Sequence, residues 1–315
     1  MSHGKSQLLK GLQLKSNFKV LMVYPNIQMV NLIPTNIGLL TACLKRSGVE
    51  VQVFDATYYR TQTKSHDEVR VEMGQYKSAA DLYKTTDVYE DFQTKINDFE
   101  PDLIGFSTVD CTFPLGVELM NRSNIDEKCH IIFGGIFPTF APDLALEEKR
   151  INSICVGEGE EALVELCNRL RSNKPILDVP NLWVRDKRGE IHKNKMGTVT
   201  PLEENPYEDF TDFEPQRFLR PMHGELKKML PVTIDRGCPY NCTFCAEPTI
   251  RALYKEQGAG NSFRIVDIDR LEDYFGHMLE TYNPDYIYFN SETFFARPIK
   301  HLEKLATFYA DKVKL

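Results

Sequence analysis

His130-Ile-Ile-Phe133-Gly134-Gly135 is a short apolar run that stops on paired glycines, and its reading decides the fold. So short an unbroken run, bounded by turn residues, is what a strand buried on both faces requires. Four more runs read the same way: Phe18-Lys-Val-Leu-Met-Val23, Glu50-Val-Gln-Val-Phe54, Leu103-Ile-Gly-Phe-Ser107 and Ser153-Ile-Cys-Val156. Between them lie stretches with helical character: Asn36 to Ser47, closed by Gly48, then Val88 to Phe99, Leu115 to Arg122, Asp143 to Glu148 and Glu160 to Arg171. Strands that alternate with helices imply an α/β fold with a Rossmann- or flavodoxin-like parallel sheet covered on both faces. Such a sheet binds ligands at the carboxyl ends of its strands.

The residues at that edge suit a large polar cofactor. Ser107 and Thr108 follow the third strand, Gly134 and Gly135 the fourth, and Gly157-Glu158-Gly159-Glu160 the fifth. Glycines let backbone approach a ligand closely, and small hydroxyls donate hydrogen bonds without filling the space. Each has a plainer reading beside it, since glycines make turns and Glu158, Glu160 and Glu161 suit a helix N-terminus.

A second signal stands in Cys238-Pro-Tyr-Asn-Cys242-Thr-Phe-Cys245, after the short strand-like run Pro231-Val-Thr-Ile-Asp-Arg-Gly237. Three thiols at these offsets on one loop can collect one inorganic centre. A structural zinc site wants a fourth ligand, and the nearest histidines, His223 and His277, lie outside finger spacing. A disulfide would leave one thiol unpaired. An iron-sulfur cube held by three cysteines keeps one iron open to a ligand. The other five cysteines read as small buried hydrophobes.

Cys238, Cys242 and Cys245, with Phe244 before the last, resemble the signature loop of the radical S-adenosylmethionine (SAM) superfamily. The resemblance implies that the three thiolates ligate a [4Fe-4S] cluster and that SAM chelates the open iron. Electron transfer would then release a 5'-deoxyadenosyl radical, with the chemistry carried by the cofactor. It also implies Phe244 near the adenine, Ser291 and Glu292 as SAM contacts, and an electron donor such as flavodoxin or ferredoxin.

Residues 18–172 resemble the cobalamin-binding domain that precedes the radical domain in B12-dependent radical SAM proteins. Pro34-Thr35-Asn-Ile-Gly38, Phe54-Asp55, Gly134-Gly135 and Gly157-Glu-Gly-Glu160 carry that likeness. It implies that Thr35, Gly38, Ser107, Thr108, Gly134, Gly135 and Glu158 approach cobalamin. The Asp-x-His-x-x-Gly motif that gives cobalt a histidine in many B12 proteins is absent. Residues 1–17 read as a tail, 173–230 as a linker with a small hairpin at Asn181 to His192 and an extended acidic connector, and 231–315 as the first βα units of a radical SAM partial barrel. The polar segment from Asp55 to Asp91 reads as a loop with one helix. After Cys238 there is room for about two βα units of roughly 30 residues, so the barrel is expected to be a fragment or to be completed by another chain.

The implied reaction is methyl transfer to an unactivated carbon or phosphorus of a small-molecule or peptide substrate. Oxidative cyclisation or rearrangement with the same cofactors is the alternative, and a corrinoid- or zinc-binding module without catalysis is another. Net charge of −7 and a pI near 5.6 argue against a nucleic-acid surface. No run approaches the roughly 18 apolar residues of a membrane span, and no apolar stretch suggests a secretory signal. A cytoplasmic location is expected.

Overall fold

The computed structural model describes residues 17–27, 32–61, 83–222 and 225–313. Seven strands form the main sheet: β1 (Lys19–Tyr24), β2 (Glu50–Asp55), β3 (Leu103–Ser107), β4 (His130–Gly134), β5 (Ser153–Cys155), β6 (Leu182–Arg185) and β7 (Ile191–Lys193). They lie in the order β2-β1-β3-β4-β5-β6-β7, with the first five parallel. The order reverses between β1 and β3, which opens a crevice beyond their carboxyl ends.

The unbroken apolar runs follow from burial on both faces. Val20 and Met22 of β1 pack with α1 (Thr35–Arg46) and α6 (Glu160–Arg171), whereas Leu21 and Val23 pack with α2 (Val88–Phe99) and α3 (Phe113–Arg122). Asp87 caps α2 through the amides of Tyr89 and Glu90 at 2.8 and 3.1 Å. Glu100 ends that helix in the left-handed region, and Pro101 prevents its continuation. The helix expected at Asp143 to Glu148 is shortened to one turn, α5 (Pro142–Ala145), which starts on Pro142, and a further short helix that was not expected, α4 (Ile136–Phe140), precedes it. Most of the segment expected as a loop with one helix falls at 62–82, outside the described residues, as does nearly all of the expected tail.

The expected hairpin forms, but within the main sheet: β6 pairs antiparallel with β5, and β7 with β6. Leu182 and Val184 are fully buried there. They cover the three-residue β5, which would otherwise present an open edge.

The connector is a strap rather than a free extended segment. Phe210 is buried where Gly38 of α1 has no side chain, and a Cβ on Gly38 would stand 2.3 Å from the Phe210 ring. Lys45 reaches Asp209 at 3.0 Å and Asp212 at 2.8 Å. Arg217, 1% exposed, pairs with Asp55 at 2.5 Å and donates to the Leu32 carbonyl at 3.0 Å.

A second sheet follows, β8 (Leu219–Met222), β9 (Glu225–Val232) and β12 (Tyr286–Phe289), with β12 parallel to β9. Between β9 and β12 run the ribbon strands β10 (Asp235–Arg236) and β11 (Arg264–Ile265) and the helices α7 (Glu247–Gln257) and α8 (Ile268–Tyr282); α9 (Ile299–Phe308) follows β12. Phe275 and Met278 of α8 share one apolar core with Val20, Phe210 and Leu230, so both sheets rest on continuous packing. Among the described residues no helix is long and apolar enough to cross a membrane.

Candidate cofactor cavity

A cavity of about 740 Å³ lies between the carboxyl edge of the main sheet and the second sheet. Its first wall is the cradle expected from sequence. Thr35, Ser107, Thr108, Gly134, Gly135 and Glu158 all line it. Gly135 has φ +98°, and a Cβ there would come within 2.5 Å of the Thr108 carbonyl oxygen. Only glycine tolerates that position without strain. The Thr108 amide donates to the Gly134 carbonyl at 2.9 Å, and Asn36 Nδ2 donates to Ser107 Oγ at 2.8 Å. Thr139 ties the β4 and β5 loops, donating to the Gly135 carbonyl at 2.8 Å and accepting from the Gly157 amide at 3.0 Å.

One expected contact in this wall is corrected, and a second has a further engagement. Gly38 does not line the cavity; its missing side chain makes room for Phe210. Glu158 lines the cavity, but its carboxylate is engaged by Arg236 at 3.2 Å and by Arg264.

The second wall is charged. Asp235, Arg236 and Gly237 line it directly before Cys238. Arg236 also pairs with Glu160 at 2.6 Å. Burial works against its charge, but Glu160 and Glu158 outweigh burial and hold it firmly protonated. Asp235, 2% exposed, accepts from Ser291 Oγ at 2.7 Å and pairs with Arg297. Burial raises its pKa, opposed by Ser291 and Arg297. The Ser291 hydroxyl is therefore spent on Asp235, and Ser291 does not line the cavity. Glu292 does line it, and burial raises its pKa. Asn290 Nδ2 crosses to Thr35 Oγ1 at 2.9 Å and joins the two walls.

The cysteine loop starts at this wall. Cys238 is buried, its amide donates to Glu247 at 3.1 Å, and its sulfur lies 3.2 Å from Thr293 Oγ1. Arg251 of α7 donates to the Cys238 and Tyr240 carbonyls at 2.6 and 3.3 Å. Cys242 and Cys245 are exposed, and the Cys245 amide closes a turn onto the Cys242 carbonyl at 3.2 Å. Phe244 is 92% exposed and does not line the cavity, so its expected place beside an adenine is not built from this wall.

Both groups suggested by the sequence fit these residues. The cradle has glycine where a Cβ would collide, and Asp235 Oδ1 and Ser262 Oγ on the lining are buried without a hydrogen-bond partner among the described residues. Three thiols on one loop match a cube with one open iron. Sequence reasoning passed over Asp235, Arg236, Glu247, Arg251 and Asn290. A usable signal was the charged pair Asp235-Arg236 ending an otherwise apolar run.

The fold is that of cobalamin-dependent radical SAM enzymes. The radical SAM methyltransferase TsrM from Kitasatospora setae, solved with cobalamin and a [4Fe-4S] cluster bound, superposes with a TM-score of 0.61 at 17% identity over 95% of this chain and 52% of that one. Residues 30–167 match the family model of the B12 binding domain. An uncharacterized methyltransferase of Pyrococcus horikoshii is 26% identical over 163 residues, 50% of this chain and 34% of that protein. The hopanoid C-3 methylase of Methylococcus capsulatus is 24% identical over 264 residues, 80% of this chain and 42% of that protein. The alignments thus span less than half the length of these curated relatives.

Proposed function

We propose that this chain forms the cofactor-binding part of a cobalamin-dependent radical SAM methyltransferase. The observation that carries the reading is the shared cavity, in which Ser107, Thr108, Gly134 and Gly135 face the strand end that leads into Cys238. The first wall would hold cobalamin, and Cys238, Cys242 and Cys245 would hold a [4Fe-4S] cluster with SAM at its open iron. When bound, these groups supply radical generation and methyl transfer. The chain's own residues do the positioning: the glycines admit the corrinoid, Arg251 fixes the carbonyls at the start of the cysteine loop, and Glu292 offers a carboxylate toward a SAM amino group. A small molecule or peptide would be the methyl acceptor, and flavodoxin or ferredoxin the electron donor.

Anaerobic reconstitution tests this reading. Close to four irons per chain, a reduced electron paramagnetic resonance signal that SAM perturbs, and uptake of hydroxocobalamin seen by visible absorption are expected. Stoichiometric zinc with no iron, or no corrinoid uptake, would overturn it.

A further inference from the structure

The ribbon β10–β11 sets two cations against each other. Arg236 lies directly opposite Arg264 in its ladder, and each strand contributes only two residues. Like charges facing across an antiparallel pair destabilise it, and so short a ribbon has little backbone bonding to resist. The compensating anions come from the other domain. Glu158 Oε1 receives both Arg236 and Arg264, and Glu160 Oε1 lies 2.6 Å from Arg236 Nη1. All four side chains are between 9% and 25% exposed, so solvent screens them little.

Each end of this clamp is rigidly joined to one cofactor wall. On one side, Gly157 has φ +88°, and the Glu158 carbonyl accepts from Asn181 Nδ2 at 3.2 Å, which fixes the loop between β5 and α6 that lines the cavity. On the other, Arg236 is followed by Gly237, where a Cβ would meet the Ser262 carbonyl oxygen at 2.7 Å, and then by Cys238. Displacing the Glu158 loop removes the anion between the arginines and loosens the ribbon that delivers Cys238.

Building on the function proposed above, we propose that Glu158 is a positioning residue that couples the two cofactor sites: cluster assembly on the cysteine loop tightens corrinoid binding in the cradle, and corrinoid binding favours the cluster-bearing loop to the same degree. That reciprocity is required of any binding linkage. The coupling runs through a named ionic contact and needs no direct contact between Glu158 and cobalamin.

The experiment is an anaerobic visible-absorption titration of hydroxocobalamin into the full chain, iron-free and cluster-loaded. In the wild type the cluster should tighten binding roughly tenfold, within the usual range of linkage. In Glu158→Gln the ratio of the two affinities should fall to within about twofold of unity, a ratio from which any change in iron-free affinity cancels. Arg264→Gln removes the partner on the other side of the clamp and should lower the ratio as well, which covers the case in which Glu158→Gln does not fold. Retention of the wild-type ratio in either folded variant, or a ratio of one in the wild type, overturns the coupling and leaves the proposed function standing. Absence of any corrinoid uptake by the wild type overturns both.

Discussion

The two walls of the cavity are built from different material. The first is backbone, glycine and small hydroxyls; the second is a set of buried ions, with Asp235 on Arg297 and Arg236 on Glu158 and Glu160. A wall of glycines is defined by what cannot be added to it. A wall of ion pairs is defined by partners that must all be present, because removing one leaves a buried charge uncompensated. Shape therefore governs the glycine wall and charge governs the wall that leads to the cysteines.

The sharpest way to separate the walls is Cys242→Ala. Cluster iron should fall to background, while unfolding free energy stays within about 0.5 kcal/mol because the side chain is exposed. Iron analysis and urea unfolding read the two effects, and retained iron would remove this loop as the cluster site. Next, Gly135→Val places a β-branched side chain at φ +98° against Thr108. It should cost about 2–4 kcal/mol and abolish corrinoid uptake, measured by urea unfolding and by absorption. Unchanged uptake would show that the cradle's shape is not what holds the ligand.

Acid should act with opposite sign on the supports of the two walls. His130 in β4 is buried beside Ser153 Oγ at 2.8 Å, and burial pushes its pKa down to about 4. Its folded pKa lies below the unfolded value near 6.5, so the stability it permits is complete above that value and is lost as pH falls toward 4. His130→Gln should escape a loss of roughly 3 kcal/mol between pH 7 and pH 4. Glu208, buried under Tyr274 beneath the second wall, has its pKa raised by burial. Its contribution is present below the unfolded carboxyl pKa and is lost as pH rises through the folded one, so Glu208→Gln should gain on the wild type as pH rises. Urea unfolding at several pH values measures both, and parallel curves for all three proteins would remove the contrast. The smallest effect is expected at the seam: Asn290→Ala loses the bond to Thr35 and about 1 kcal/mol, with iron content unchanged.

The strands β1 to β5 were legible because each is an apolar run bounded by turn residues, a local property of the chain. The cradle residues were legible for a related reason, since small residues after such strands fall on the ligand edge. The hairpin at Leu182 to Lys193 was seen as a hairpin but not as part of the main sheet, because strand pairing with β5 depends on a distant edge. Gly38 was misread for a similar reason: its partner Phe210 lies far along the chain, and no periodicity marks the pair.

By itself the sequence determined where β1 to β5 and the covering helices α1, α2, α3 and α6 fall, that three thiols share one loop, and that small residues gather at the strand ends, because each depends on near neighbours and fixed spacing. Tertiary structure alone decided that Glu158 turns to Arg236 and Arg264, that Ser291 serves Asp235, and that the two walls enclose one cavity. Those outcomes depend on burial and on charges brought together from distant parts of the chain, where the cost of an unpaired ion selects the partner.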